Sequence, residues 1–348
     1  MSLGMQMKIA LVTGITGQDG TYLARLLLGK GYSVYGTSRS AEGPHLWRLR
    51  ELDILEHPRL HLVPGGLDDM ELLRRLLREI SPDEVYNFAA TSFVPVTPGQ
   101  LETMTSATGV GPLRLLEAIR ETNPGIKFFQ AGSSEMFGRV DTAPQNENTP
   151  FHPRNPYGAA KLYAYWNTVI YRETHGIFAC NGILFNHESP LRDELFVTRK
   201  ITRAFAAMRC GSDSLLELGN LDSRRDWGYA PEYMEAVWRM MQGKEPDCYV
   251  LASGRTSSVR DFVELAAKAV DMELVWEGIG EKEVGRDNRT GTVRVRVNPA
   301  FYRPCERVEL VGDAGKAGRL LDWKASTPLE DICRNMVEMD FNRLQKSA

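Results

Sequence analysis

Tyr157 and Lys161 stand four residues apart, in Tyr157-Gly158-Ala159-Ala160-Lys161. On a helix that spacing puts both on one face. A phenol titrating near 10 is a poor base at neutral pH. A neighbouring ammonium stabilises phenolate and is expected to lower that value by about 1–3 units. At about 4 Å and an effective dielectric near 20, the attraction is on the order of 4 kcal/mol before desolvation. Upstream, Gly132-Ser133-Ser134-Glu135 follows a strand-like run at 127–130. Strand C-termini of an open parallel sheet face the ligand crevice. Ser133 is placed there to hydrogen-bond a substrate oxygen beside Tyr157. Glu135 adds a carboxylate able to abstract and return a second proton. That is more than simple hydride transfer requires.

A second constellation opens the chain. Thr13-Gly14-Ile15-Thr16-Gly17-Gln18-Asp19-Gly20 follows an apolar run at 9–12 and precedes a helix-like segment at 21–28. Glycines permit a tight turn and close backbone approach to a pyrophosphate, and the helix start supplies free N–H groups. The pattern predicts a dinucleotide loop. The next strand begins at 33–35 and ends in Thr37-Ser38-Arg39-Ser40, without an acid. Arg39 suits a ribose 2′-phosphate, which favours NADP over NAD.

These residues need a scaffold. Apolar leucines at helical spacing predict a helix over 69–80, strands are expected at 85–89 and 127–130, and a second helix at 113–121. A long helix is expected over 157–173, a strand over 177–184, and helices over 259–270 and 328–342. Stretches 219–225 and 281–298 read as polar or turn-rich. Strand–helix alternation predicts an α/β, Rossmann-like doubly wound parallel sheet with a smaller C-terminal α/β substrate domain. A length of 348 residues, at roughly 150 per domain, predicts about two domains. The division expected is 7–180 for the dinucleotide, with 226–258 crossing back, and 181–348 mainly for substrate.

Composition narrows the partners. Lys+Arg 42 against Asp+Glu 45 leaves a net charge of −3, so no broad electrostatic grip on nucleic acid or anionic membrane is expected. No apolar run is long enough for a membrane-spanning helix, and the N-terminus lacks the layout of a secretory signal. The five cysteines are scattered without C-x-x-C. They fit neither a zinc site nor a disulfide framework, and suit a reducing cytoplasm. No metal is expected.

The chain resembles the extended short-chain dehydrogenase/reductase family, and within it the GDP-mannose 4,6-dehydratases. The motifs that carry this are TGITGQDG at 13–20, GSSEMFG at 132–138, PRNPYGAAK at 153–161, ACNGILFNHESP at 179–190, FVTRKI at 196–201, LGNLDSRRDWG at 218–228 and YRPCERVELVGDAGKA at 302–317. The resemblance implies a redox-neutral lyase. Tyr157 would take the sugar 4-hydroxyl proton as C4 hydride leaves, and Glu135 would take the C5 proton and help expel the 6-hydroxyl. Hydride would then return to C6. Lys161 would hold the nicotinamide ribose, Ser133 would polarise the C4 oxygen and Ser134 would assist the leaving hydroxyl. The cofactor side would comprise Gly14, Thr16, Gly17, Gln18, Asp19, Gly20, Arg39, Ala89, Tyr157, Lys161 and His187, the last also readable as a packed histidine. The GDP-sugar side would comprise Ser92, Ser134, Asn186, Val197, Lys200, Asn220, Arg225, Arg303 and Glu306.

Departures from the family pattern stand at Gly66, at Thr97-Pro98-Gly99, at Pro112 inside an expected helix, and at Leu191-Arg192-Asp193. They leave the chemistry in place and leave open a GDP-heptose as substrate; a related NADPH-dependent GDP-4-keto-sugar reductase or epimerase, which can use the same Tyr and Lys, is the other alternative. A homodimer or homotetramer is implied, the latter through the loop at 41–48, which contains Trp47.

Overall fold

A computed structural model describes residues 7–38, 40–90, 98–302 and 309–347. The first unit alternates β1 (Ile9–Thr13), α1 (Gln18–Gly29), β2 (Ser33–Ser38), α2 (Trp47–Glu51), β3 (Leu60–Pro64), α3 (Met70–Ile80) and β4 (Glu84–Asn87). Next come α4 (Pro98–Thr105), α5 (Gly111–Thr122), β5 (Lys127–Ala131), α6 (Pro156–His175), β6 (Ala179–Leu184) and β7 (Asn186–Glu188). The remainder is α7 (Val197–Arg209), β8 (Leu216–Leu218), β9 (Arg224–Tyr229), α8 (Ala230–Gln242), β10 (Cys248–Leu251), β11 (Thr256–Ser258) and α9 (Val259–Lys268). It ends with β12 (Leu274–Glu277), β13 (Val284–Asp287), β14 (Val293–Val297), α10 (Gly315–Leu321) and α11 (Leu329–Ser347).

The main sheet has seven strands in the order β10-β6-β5-β4-β1-β2-β3, and every pairing is parallel. The chain order reverses between β1 and β4, which opens the crevice where such sheets take ligands. Burial on both faces explains the unbroken apolar runs: all six residues of β6 are buried, as are Ala10 to Thr13 of β1. A buried polar chain ties the C-terminal strand ends below the crevice. Thr13 Oγ1 donates to Asn87 Oδ1 at 2.5 Å, and Asn87 Nδ2 donates to Gln130 Oε1 at 2.8 Å.

Local chemistry sets the helices. Asp69 caps α3 by accepting from Leu72 N at 2.9 Å, and Leu73, Leu76, Leu77 and Ile80 form its buried stripe. Ser258 and Asp261 form a reciprocal capping box on α9. Pro112 follows a turn of π geometry, Ser106–Val110, that joins α4 to α5 with helical backbone on both sides.

Two smaller sheets stand beside the large one, β11-β9-β7 and β12-β13-β14-β8. A second apolar cluster lies among α7, α9, α11 and the four-stranded sheet, with Phe205, Phe262, Val295, Val297 and Met336 at most 2% exposed. The stretch 281–298, read as turn-rich, holds two strands of that sheet. In β14, Val-Arg-Val-Arg-Val is a period-two pattern in which Val295 and Val297 are buried and Arg296 is exposed.

Candidate functional site

The turn after β1 places the glycines where side chains do not fit. Gly14 has φ of +70°, and a Cβ there would lie 2.8 Å from the Ala89 backbone N. A Cβ on Gly20 would lie 2.4 Å from Gly14 O. Gly17 N donates to Gly14 O at 3.0 Å and begins α1 with no side chain capping it. The first N–H groups of the helix therefore face outward for an acceptor.

The side chains of Gln18 and Asp19 turn away, toward β7. Gln18 Nε2 donates to His187 O at 3.1 Å, and Gln18 Oε1 accepts from Ser189 at 2.7 Å. His187 bonds Asp19 through Nε2 at 2.9 Å and Phe185 O through Nδ1 at 2.7 Å, and stacks on Tyr233. Both ring nitrogens face acceptors, which only imidazolium satisfies. Burial opposes charge on either partner. The charge and hydrogen bond of the pair outweigh it, holding Asp19 down at about 2 and His187 above its ordinary value. What Gln18 and Asp19 offer a phosphate is thus backbone N–H, and His187 is a packed partner of the loop.

On the far side of the crevice, α6 begins at Asn155. Its Oδ1 accepts from Gly158 N at 2.7 Å, and its Nδ2 donates to Glu135 Oε2 at 2.8 Å. Gly158 lets the first turn of α6 rest on the Glu135 backbone, since a Cβ there would meet Glu135 O at 2.5 Å. Ser133 caps the short turn Ser134–Met136 by accepting from Glu135 N at 3.2 Å. Ser134 is buried. Ser133, Glu135 and Tyr157 thus share one corner.

Tyr157 and Lys161 do face one way, with Lys161 Nζ 5.8 Å from the Tyr157 ring centre. The expected lowering of the phenol by the ammonium is absent. Burial pushes Tyr157 upward, opposed by a hydrogen bond with Ser133 and then by the charge of Arg192. Burial brings Lys161 down to about 8, and its ammonium bonds Ala131 O at 2.7 Å. Desolvation dominates both groups, and the lysine spends a donor on the strand end.

Lys200 reaches Glu217 O at 2.6 Å and lies over the Phe301 ring. Arg225 Nη1 donates to Arg224 O, and Asn220 Oδ1 accepts from Asp222 N. Asn186 opens β7 and Val197 opens α7. Arg39, Ser92, Arg303 and Glu306 lie outside the described residues. Two residues went unread in the sequence. Asn155 is one; its signal was an Asn just ahead of a helix-opening Pro. Arg48 is the other. It donates to Thr16 O at 3.2 Å and Leu191 O at 2.7 Å, clamping the glycine turn to the loop after β7. No short-range pattern marks such a contact.

The model of the family described as GDP-mannose 4,6 dehydratase matches residues 11–336. The chain is 47% identical to the GDP-mannose 4,6-dehydratase of Sinorhizobium fredii, over 97% of this chain and 98% of that one. It is 46% identical to the GDP-mannose 4,6 dehydratase of Drosophila melanogaster, over 98% and 88%. Among solved structures, RMD from Pseudomonas aeruginosa complexed with NADPH is similar with a TM-score of 0.76 and 22% identity, covering 97% of this chain and 100% of that one. The last likeness is one of fold.

Proposed function

The chain belongs to the GDP-mannose 4,6-dehydratase family, and from that premise we infer that it removes water from GDP-mannose to give GDP-4-keto-6-deoxy-mannose. The observation that carries the reading is Glu135, a carboxylate held in the same corner as Ser133 and Tyr157. A plain reductase has no task for it.

The glycine turn fits a dinucleotide, because a Cβ on Gly14 or Gly20 would clash with backbone and the first N–H groups of α1 stay uncapped by side chains. Gly14, Thr16, Gly17, Gly20 and Ala89, with the backbone of Gln18 and Asp19, would hold it, and Lys161 its nicotinamide ribose. The end of β2 offers no acid for a ribose 2′-hydroxyl, and Arg39 follows it, so the cofactor is NADP. Bound there, NADP would supply the acceptor for the sugar C4 hydride and the donor that restores it at C6. Tyr157 would accept the 4-hydroxyl proton, with Ser133, whose hydrogen bond opposes the upward push of burial on the phenol, holding the C4 oxygen. The ketone acidifies C5, whose proton passes to Glu135. That proton leaves with the 6-hydroxyl as water, beside Ser134. The proton held by Tyr157 remains for C5, so atoms and charge close.

Asn186, Val197, Lys200, Asn220 and Arg225, with Ser92, Arg303 and Glu306, make up the GDP-sugar side. Guanidinium forks suit the diphosphate. We assign 7–180 with 226–258 to the cofactor and the rest of 181–348 mainly to substrate. No described helix is long and apolar enough to cross a membrane. The cytoplasm suits the four described cysteines, all free. The assembly is a homodimer or homotetramer.

Proton NMR of GDP-mannose in D₂O with catalytic NADP⁺ tests the reaction. A new 6-methyl signal and deuterium at C5, with no net reduced cofactor, are expected. Glu135→Gln should abolish both signals. Turnover retained in that variant removes Glu135 from its role.

A further inference from the structure

We propose that Asn155 is a positioning residue for the C5 proton transfer, holding the Glu135 carboxylate in register with Tyr157 and Lys161. The proposal rests on the role given to Glu135 above and extends it to a residue that touches no reacting atom.

The geometry is bifunctional. The amide oxygen of Asn155 accepts from Gly158 N at 2.7 Å and so starts the helix that carries Tyr157 and Lys161. The amide nitrogen donates to Glu135 Oε2 at 2.8 Å. One planar group therefore fixes the separation between the base for C5 and the helix that handles the C4 hydroxyl. Its other oxygen, Oε1, is not engaged by Asn155. A helix cap alone asks for an acceptor, which Ser, Asp or Asn supplies equally. Asp has no donor for a carboxylate, and Ser has one but on a side chain shorter than the amide that spans Gly158 N and Glu135 Oε2 here. A donor aimed at an anion strengthens the bond and fixes its direction. Proton abstraction from carbon depends on such alignment.

Two substitutions separate the roles. Asn155→Ser keeps a good cap but is too short to serve both partners. It should retain NADP binding and melting temperature. It should lose about tenfold or more in C5 deuterium uptake and 6-methyl formation. Reduced-nicotinamide absorbance should accumulate in a single turnover, because C4 oxidation outruns elimination. Asn155→Asp also keeps the cap but sets a second carboxylate against Glu135. Two such groups share a proton, so the acid limb of the pH–rate profile should move up by about one unit or more. The inference is overturned if both variants keep the wild-type acid limb and elimination rate while Glu135→Gln is inactive. Asn155 is then a cap only. It is also overturned if the Ser variant slows C4 oxidation and elimination together and the Asp variant shows no shift of the limb. If Glu135→Gln turns over normally, the role of Glu135 itself fails, a result distinct from either.

Discussion

Tyr157, Lys161, Ser133 and Glu135 are separate in the chain, and backbone contact brings them together. The glycine between Tyr157 and the rest of its helix matters most. A Cβ at position 158 would sit 2.5 Å from the Glu135 carbonyl oxygen and 3.2 Å from Pro153 Cβ. Neither neighbour is a flexible tip, so one backbone must move. Gly158→Ala should therefore cost about 1–3 kcal/mol through overpacking. It should lower kcat by roughly 10–100-fold by parting Glu135 from Tyr157, read by steady-state kinetics beside a thermal melt. A variant with wild-type kcat would mean that the corner tolerates displacement. The four principal side chains were legible in the sequence because each lies in a short motif. Asn155 and Arg48 were not. Each acts on residues 20 or more positions away, and residue type alone does not announce a partner at that distance.

Between elements, a polar link runs from the start of α1 to β7 and the turn after it. Asp19 and His187 form its charged part. Asp19 is depressed to about 2, so its contribution is present above the ordinary carboxylate range and lost as pH falls toward about 2. His187 is raised, so its contribution is full below about 6.5 and lost as pH climbs through its folded value. The pair stabilises most between about pH 4 and 6.5. Asp19→Asn should lower the melting temperature by a few degrees near pH 6, with the deficit shrinking by about pH 9. A deficit independent of pH would show that His187 is neutral. At this scale the reading of sequence was uneven for physical reasons. Strands buried on both faces are apolar throughout, and β5 and β6 were visible within about two residues of their ends. Helix α1 starts at Gln18, three residues earlier than expected, because Gly20 looks like loop. It is in fact a helical residue chosen for its approach to Gly14. Helix α8 and the hairpin of β13 and β14 went unread; Gly, Arg and Asp within β13 imitate a turn.

For the whole molecule, the outer face of α6 is the feature the monomer leaves unexplained. Tyr163, Trp166 and Ile170 follow one another at three and four residues and are 48%, 51% and 47% exposed. The opposite face of the same helix is buried through Ala160, Lys161, Ala164 and Tyr165. Single exposed apolar side chains are ordinary, but three in a stripe on one helix mark a contact surface. The proposed homo-oligomer accounts for it with a second copy, whose own stripe is self-complementary under a two-fold axis. Trp166→Glu places two like charges at that axis and should shift the mass seen by light scattering toward the monomer. Activity should follow. α6 carries Tyr157 and Lys161 on its inner side, and its first turn rests on Glu135, so a helix no longer braced from outside holds this corner less firmly. Specific activity of the variant should rise with protein concentration, whereas that of the wild type should not. If Trp166→Glu keeps the wild-type mass, the stripe is not the interface, and the loop at 41–48 with Trp47 becomes the surface to change next.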